Sequence, residues 1–196
     1  MKVKEFINEL KYYQMFLGEI ISNYYINEAI CDFAEQNRIC FNQYGNCLGQ
    51  ISSALVHNQH LLCDILLHKN NESKSIPRTL NRLFNEPFNV SKENAQAIKS
   101  KASIVLEAID NHKEAIDNLN AFRNNVYAHF NNKLFDEQWQ EEYKAKHPFD
   151  FDALIKVCKQ CVDIFSEILY LLNEEAYLRS NIRLAHLDRF IKKLST

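Results

Sequence analysis

Apolar residues recur at steps of three and four along most of this chain, the signature of helices that bury one face. Phe6, Leu10, Tyr13, Leu17, Ile20 and Tyr24 share a face and predict a helix from about Val3 to Asn37. A second is predicted from about Phe41 to His68, with Leu48, Ile51, Leu55, Leu62 and Ile65 as its buried stripe and Gly45 and Gly49 weakening its start. After a polar stretch, Pro77 opens a short helix through Asn85 and Pro87 breaks the chain again. Ser91 caps a long helix expected to reach about Phe130. Residues 131–148 read mainly as a loop, with part of it open to helix. A further helix is expected from near Phe149 to Asn173, capped by Asp150 or Asp152, and residues 174–196 form a last amphipathic segment. Long helices and short connections predict one all-α domain over residues 1–196, an antiparallel bundle.

The seam of the long helix breaks its own rule. It runs Ile98, Ala102, Val105, Ile109, His112, Ile116, Leu119, Arg123, Val126, Phe130, and two members are not apolar. An arginine in a packed stripe needs partners, because a buried unpaired charge is costly. Arg123 must therefore meet an anion, water or another subunit. His129 lies about 120° around the axis from it and roughly 9 Å further along, so the two can border one pocket without clasping. Asn124 and Asn125 flank the arginine with amide donors. Asn125 and His129 stand four apart, close enough to hydrogen-bond and fix the imidazole tautomer. Plainer readings stay open: Arg123 paired with a carboxylate from the second helix, His129 capping a helix end, Tyr127 as packing, His112 as a satisfied seam histidine.

Composition narrows the function classes. Only three glycines and three prolines occur in 196 residues, which fits long unbroken helices. The net charge is −2 and the pI about 6.4, so no global basic field draws in nucleic acid and any such partner needs a local site. Met1–Glu9 alternates charge with single apolar residues, unlike a secretory leader, and no apolar run nears the ~18 residues of a membrane span. A cytoplasmic location is expected. The six cysteines are expected to be reduced core thiols; Cys158 and Cys161 form a CxxC with no second pair to complete a zinc site.

His57, His60, Asp64 and His68 fall on one face of the second helix and could supply metal ligands, although a solvated polar face is the expectation and no metal or cofactor is assigned. Basic residues near the motif, Lys113, Lys133, Arg78 and Arg82, could line an RNA path, although charges of both signs are mixed there. Tyr127, Phe130 or Trp139 could stack on a base.

The string RNNVYAH, from Arg123 to His129, resembles the arginine–histidine signature of the HEPN superfamily, helical domains many of which are ribonucleases. RNNVYAHF is similar to strings of its AbiU group, phage abortive-infection proteins. Residues 61–83 carry the accompanying pattern: a helix ending near Asp64, a polar loop, and Ser75–Ile76–Pro77 opening a short helix. Arg179 and His186 repeat the spacing in the tail without that context.

The resemblance implies a HEPN-type bundle that forms a homodimer, with the two arginine–histidine helices meeting across the axis and RNA as substrate. It implies Arg123, Asn124 and His129 as catalytic residues, with Asp64, Asn125 and Tyr127 supporting them, and no metal. Arg123 would hold the phosphate, Asp64 would hold Arg123, and His129 would move the proton. A nucleotidyltransferase-type antitoxin or another protein partner is a further implied possibility. Relatives paired with such antitoxins often carry a modified tyrosine two residues after the histidine, where this chain has Asn131. The alternative reading is a non-catalytic module of the same fold that binds RNA, a nucleotide or a protein.

Overall fold

The computed structural model describes residues 1–36, 38–69, 74–127 and 137–174. His129, Asn131, Arg179 and His186 lie outside them, as do the side chains of Cys40, Tyr127, Phe130 and Trp139. Among the described residues there are seven α-helices, one π-helical segment and no strand. They are α1 (Val3–Gln36), α2 (Arg38–Leu67), α3 (Ile76–Asn85), α4 (Lys92–Asn111), α5 (Lys113–Phe122), the π segment (Arg123–Tyr127), α6 (Glu137–Lys146) and α7 (Phe151–Leu171).

Cross-links between helices fix their directions. Asn58 donates to Glu19 and Ser52 to Asn27, so α2 runs antiparallel to α1. Gln14 meets Ser166 while Tyr24 meets Asp152, which sets α7 antiparallel to α1 on its other side. Asn94 reaches the Leu171 carbonyl and Lys101 pairs with Glu167, so α4 is antiparallel to α7. The core lies between these elements, with Phe6, Leu10 and Leu17 of α1, Ile98 and Val105 of α4, and Cys158, Phe165 and Ile168 of α7 all fully buried. A smaller cluster of Ile30, Phe33 and Leu48 closes the α1–α2 end.

Several local expectations hold for a local reason. The Ser91 hydroxyl accepts from the Asn94 amide and the Asp150 carboxylate from the Ala153 amide, each satisfying a first-turn donor. Part of the loop expected over 131–148 is helical, as α6.

Three expectations are corrected. The seam helix is not continuous: His112 leaves helical geometry (φ −111°, ψ 18°), with its ring Nδ1 2.9 Å from the Ala108 carbonyl oxygen, so α4 and α5 are separate. Of the stripe expected to be buried on α2, Leu48 is buried, Leu55 and Leu62 are half-buried, and Ile51 and Ile65 are exposed, while Gln59, His60, Cys63, Asp64, Leu66 and Leu67 face inward. Hence the face expected to be polar and solvated is divided: His60 and Asp64 are buried, His68 is half-buried and His57 is exposed. Nor are all the cysteines core thiols, since Cys31 and Cys47 are exposed; Cys63, Cys158 and Cys161 are buried.

Candidate functional site: a closed side-chain ring around Arg123

The site forms where α5 passes into the π segment beside the C-terminal half of α2. A π turn lengthens the hydrogen-bonded register by one residue and re-aims the side chains it carries. Arg123 is its first residue. At the change of register the Ala121 carbonyl oxygen accepts from Asn125 Nδ2 at 2.8 Å and from Tyr143 Oη at 3.1 Å. Asn125 also donates to Tyr143 Oη at 2.8 Å, tying α6 to the turn. The expected Asn125–His129 pair lies outside the described residues.

Four side chains form a closed ring. Arg123 Nη1 lies 2.8 Å from Asp64 Oδ2. Arg123 Nε and Nη2 donate to Asn124 Oδ1 at 3.2 and 2.7 Å. Asn124 Nδ2 donates to Asn120 Oδ1 at 3.0 Å, and Asn120 Nδ2 donates to Asp64 Oδ1 at 2.6 Å. Both carboxylate oxygens are thereby occupied and the guanidinium is held on two sides.

Burial within the ring is uneven. The Asp64 side chain is 4% exposed and that of Arg123 is 29% exposed. The carboxylate sits inside, the cation at the edge. Arginine offers five N–H donors in a rigid fork, and among the described residues three are engaged, leaving two at a partly open position. Such an arrangement can receive an oxyanion without repositioning its arginine.

Of the residues singled out from sequence, the fold brings Arg123, Asn124 and Asp64 into direct contact. Asn125 sits one position on, turned to Tyr143. The backbone of Tyr127 ends the π segment. Asn120 was missed. Its available signal was the cluster of Asn118, Asn120, Asn124 and Asn125, residues that compete for backbone hydrogen bonds and are poor in a helix interior.

The histidine run on α2 does not converge. His60 is buried against the rings of Phe122, Phe149 and Phe151, with centroids 6.0, 5.3 and 5.0 Å away. His57 faces solvent, and His68 Nε2 lies 3.7 Å from Asp117. Among the described residues no group of histidine, cysteine and carboxylate side chains could hold a metal ion. Arg82, considered for an RNA path, is committed to Glu5, Glu9 and Glu86. Lys113 pairs with Asp117.

No described helix is long and apolar enough to cross a membrane. Comparison with known proteins finds no matching family model, curated protein or solved structure, so the HEPN resemblance stands on its two sequence motifs.

Proposed function

We propose that this chain is a metal-independent endoribonuclease of the HEPN type, acting in the cytoplasm as a homodimeric toxin or antiphage component. The observation that carries the reading is the held arginine. Arg123 stands at the rim of the bundle, fixed by Asp64 and Asn124, with two of its donors unpartnered among the described residues. Preorganised donors stabilise developing charge best because they need no rearrangement during the reaction.

In this reading His129 takes the proton from a ribose 2′-hydroxyl. The 2′-oxygen attacks phosphorus and the 5′-oxygen leaves, collecting a proton from an acid. The products are a 2′,3′-cyclic phosphate and a 5′-hydroxyl. Arg123 binds the phosphate oxygens, Asn124 and Asp64 hold its plane, and a second copy of the chain closes the cleft. DNA, without the 2′-hydroxyl, is not cut. A nucleotidyltransferase-type antitoxin or another protein partner is compatible with this reading, although Asn131 stands where relatives under such control carry the modified tyrosine.

The same ion pair favours a second reading. A buried carboxylate neutralising an edge arginine also suits a non-catalytic helical module that binds RNA, a nucleotide or a protein. Incubation of RNA with wild type, Arg123→Ala and His129→Ala in EDTA decides between them. The nuclease reading expects cleavage by wild type alone, reduced at least about 100-fold in His129→Ala, in line with the loss of a general base. Equal cleavage by all three, or none by any, refutes it.

A further inference from the structure

A second site lies away from Arg123. The N-terminal half of α1 and the residues leading into α3 enclose a cleft of about 610 Å³. That is within the usual range for small-ligand sites, roughly 300–1,000 Å³. None of its lining residues belongs to the ring described above.

The charges of the cleft are not balanced. Lys2, Lys4 and Lys74 line it, and none of these three ammonium groups has an ion-pair partner among the described residues. Two carboxylates, Glu5 and Glu9, also line it, but both are already engaged. Glu5 lies 3.1 Å and Glu9 3.6 Å from the Arg82 guanidinium, and Glu9 also accepts from the Thr79 hydroxyl at 2.9 Å. Arg82 is held charged by its bonds to Glu86 and Glu5. Arg82 and the Met1 ammonium offset two of the three carboxylates Glu5, Glu9 and Glu86, so with Lys2, Lys4 and Lys74 this side keeps a surplus of two positive charges.

An aromatic surface stands beside these lysines. Tyr12 is 48% exposed, while its ring packs against Phe16 at a centroid distance of 4.4 Å. It is therefore a supported ring with open area. Lysine ammonium groups bind phosphates as point charges, and an aromatic face accepts any base.

We propose that this cleft binds a nucleotide unit, its phosphates held by Lys2, Lys4 and Lys74 and its base laid on Tyr12. The unit could come from a free nucleotide or from a single strand, and the chemistry of recognition is the same for both.

The test uses the full chain and two probes in fluorescence titrations: mant-labelled ATP and a fluorescein-labelled 2′-O-methyl uridine octamer. The octamer cannot be cut by 2′-oxygen attack, so its binding is read whether or not the protein is a nuclease. Wild type is expected to bind at least one probe, with affinity falling as salt rises. The combined Lys2→Ala, Lys4→Ala, Lys74→Ala variant should bind at least about tenfold more weakly and with a shallower salt slope. Tyr12→Ala should weaken binding by about fivefold or more. Lys101→Ala, which removes a lysine that pairs with Glu167 and does not line the cleft, should bind as wild type does. Binding of ATP alone identifies a free nucleotide, and binding of the octamer alone identifies a strand. The assignment is overturned if wild type binds neither probe, if the triple variant binds as well as wild type, or if Lys101→Ala weakens binding as much as the triple variant does.

Discussion

Replacing Asp64 and Arg123 singly and together measures how strongly the ring is built. Asp64 is the inner partner, with a side chain 4% exposed and two short contacts, 2.8 Å to Arg123 and 2.6 Å to Asn120. Breaking a fully buried ion pair costs about 3–5 kcal/mol, and exposed pairs contribute about 0.2–1 kcal/mol. The Arg123 side chain is 29% exposed, so water can partly replace the carboxylate around the guanidinium. An intermediate value follows: about 2–3 kcal/mol for Arg123→Ala, which strands a buried carboxylate, and about 2 kcal/mol for Asp64→Ala, which strands a cation that water can reach. If the two were independent, the double variant would lose about 4–5 kcal/mol. A direct coupling of about 2 kcal/mol leaves the double variant only about 2–3 kcal/mol below wild type. Urea unfolding followed by circular dichroism at 222 nm gives all four values. Should the coupling come out below about 0.5 kcal/mol, the pair behaves like an exposed one, and the argument that Arg123 is preorganised fails.

Two further perturbations test the fold away from the ring. Burial pushes the Tyr13 hydroxyl up from 10.0 to about 12, where it is bonded to Thr79 and to the Ser75 carbonyl. A raised value means the associated stability is complete below pH 10 and is lost as pH climbs toward 12, a loss of about 2–3 kcal/mol. Tyr13→Phe should cost about 1 kcal/mol at neutral pH and remove that part of the alkaline slope in urea midpoints; equal slopes for the two proteins would contradict it. Gly49 lies in α2 with nothing within 4 Å of an added Cβ, so Gly49→Ala should stabilise the chain by about 0.5–1 kcal/mol and raise the melting temperature by about 2–4 °C. A lower melting temperature would show that this stretch of α2 is not held as a regular helix.

The sequence by itself determined the elements. Helical periodicity, caps and breakers act within a few residues of chain, so α1, α3 and α7 could be placed from Phe6–Ile20, Ser75–Pro77 and Asp150 without knowing their neighbours. It also marked Arg123 as out of place, since an apolar stripe with one cation is a local anomaly, and it offered Asp64 as a partner. Tertiary structure decided the rest. Helix α2 carries two plausible faces, Leu55–Leu62–Ile65 and His60–Asp64, and packing selects the second, with Phe122, Phe149 and Phe151 around His60 and α5 beside Asp64. Asn120 and Arg123 satisfy the carboxylate there, which lowers the cost of burying it. The break at His112 and the π turn at Arg123 were equally hidden. A regular seam read from sequence assumes constant register, whereas packing against α2, α6 and α7 sets where that register slips. The ring of Asp64, Arg123, Asn124 and Asn120 joins residues 56 positions or more apart on one side and adjacent on the other. Spacing describes the adjacent half, and only the folded bundle closes the circle.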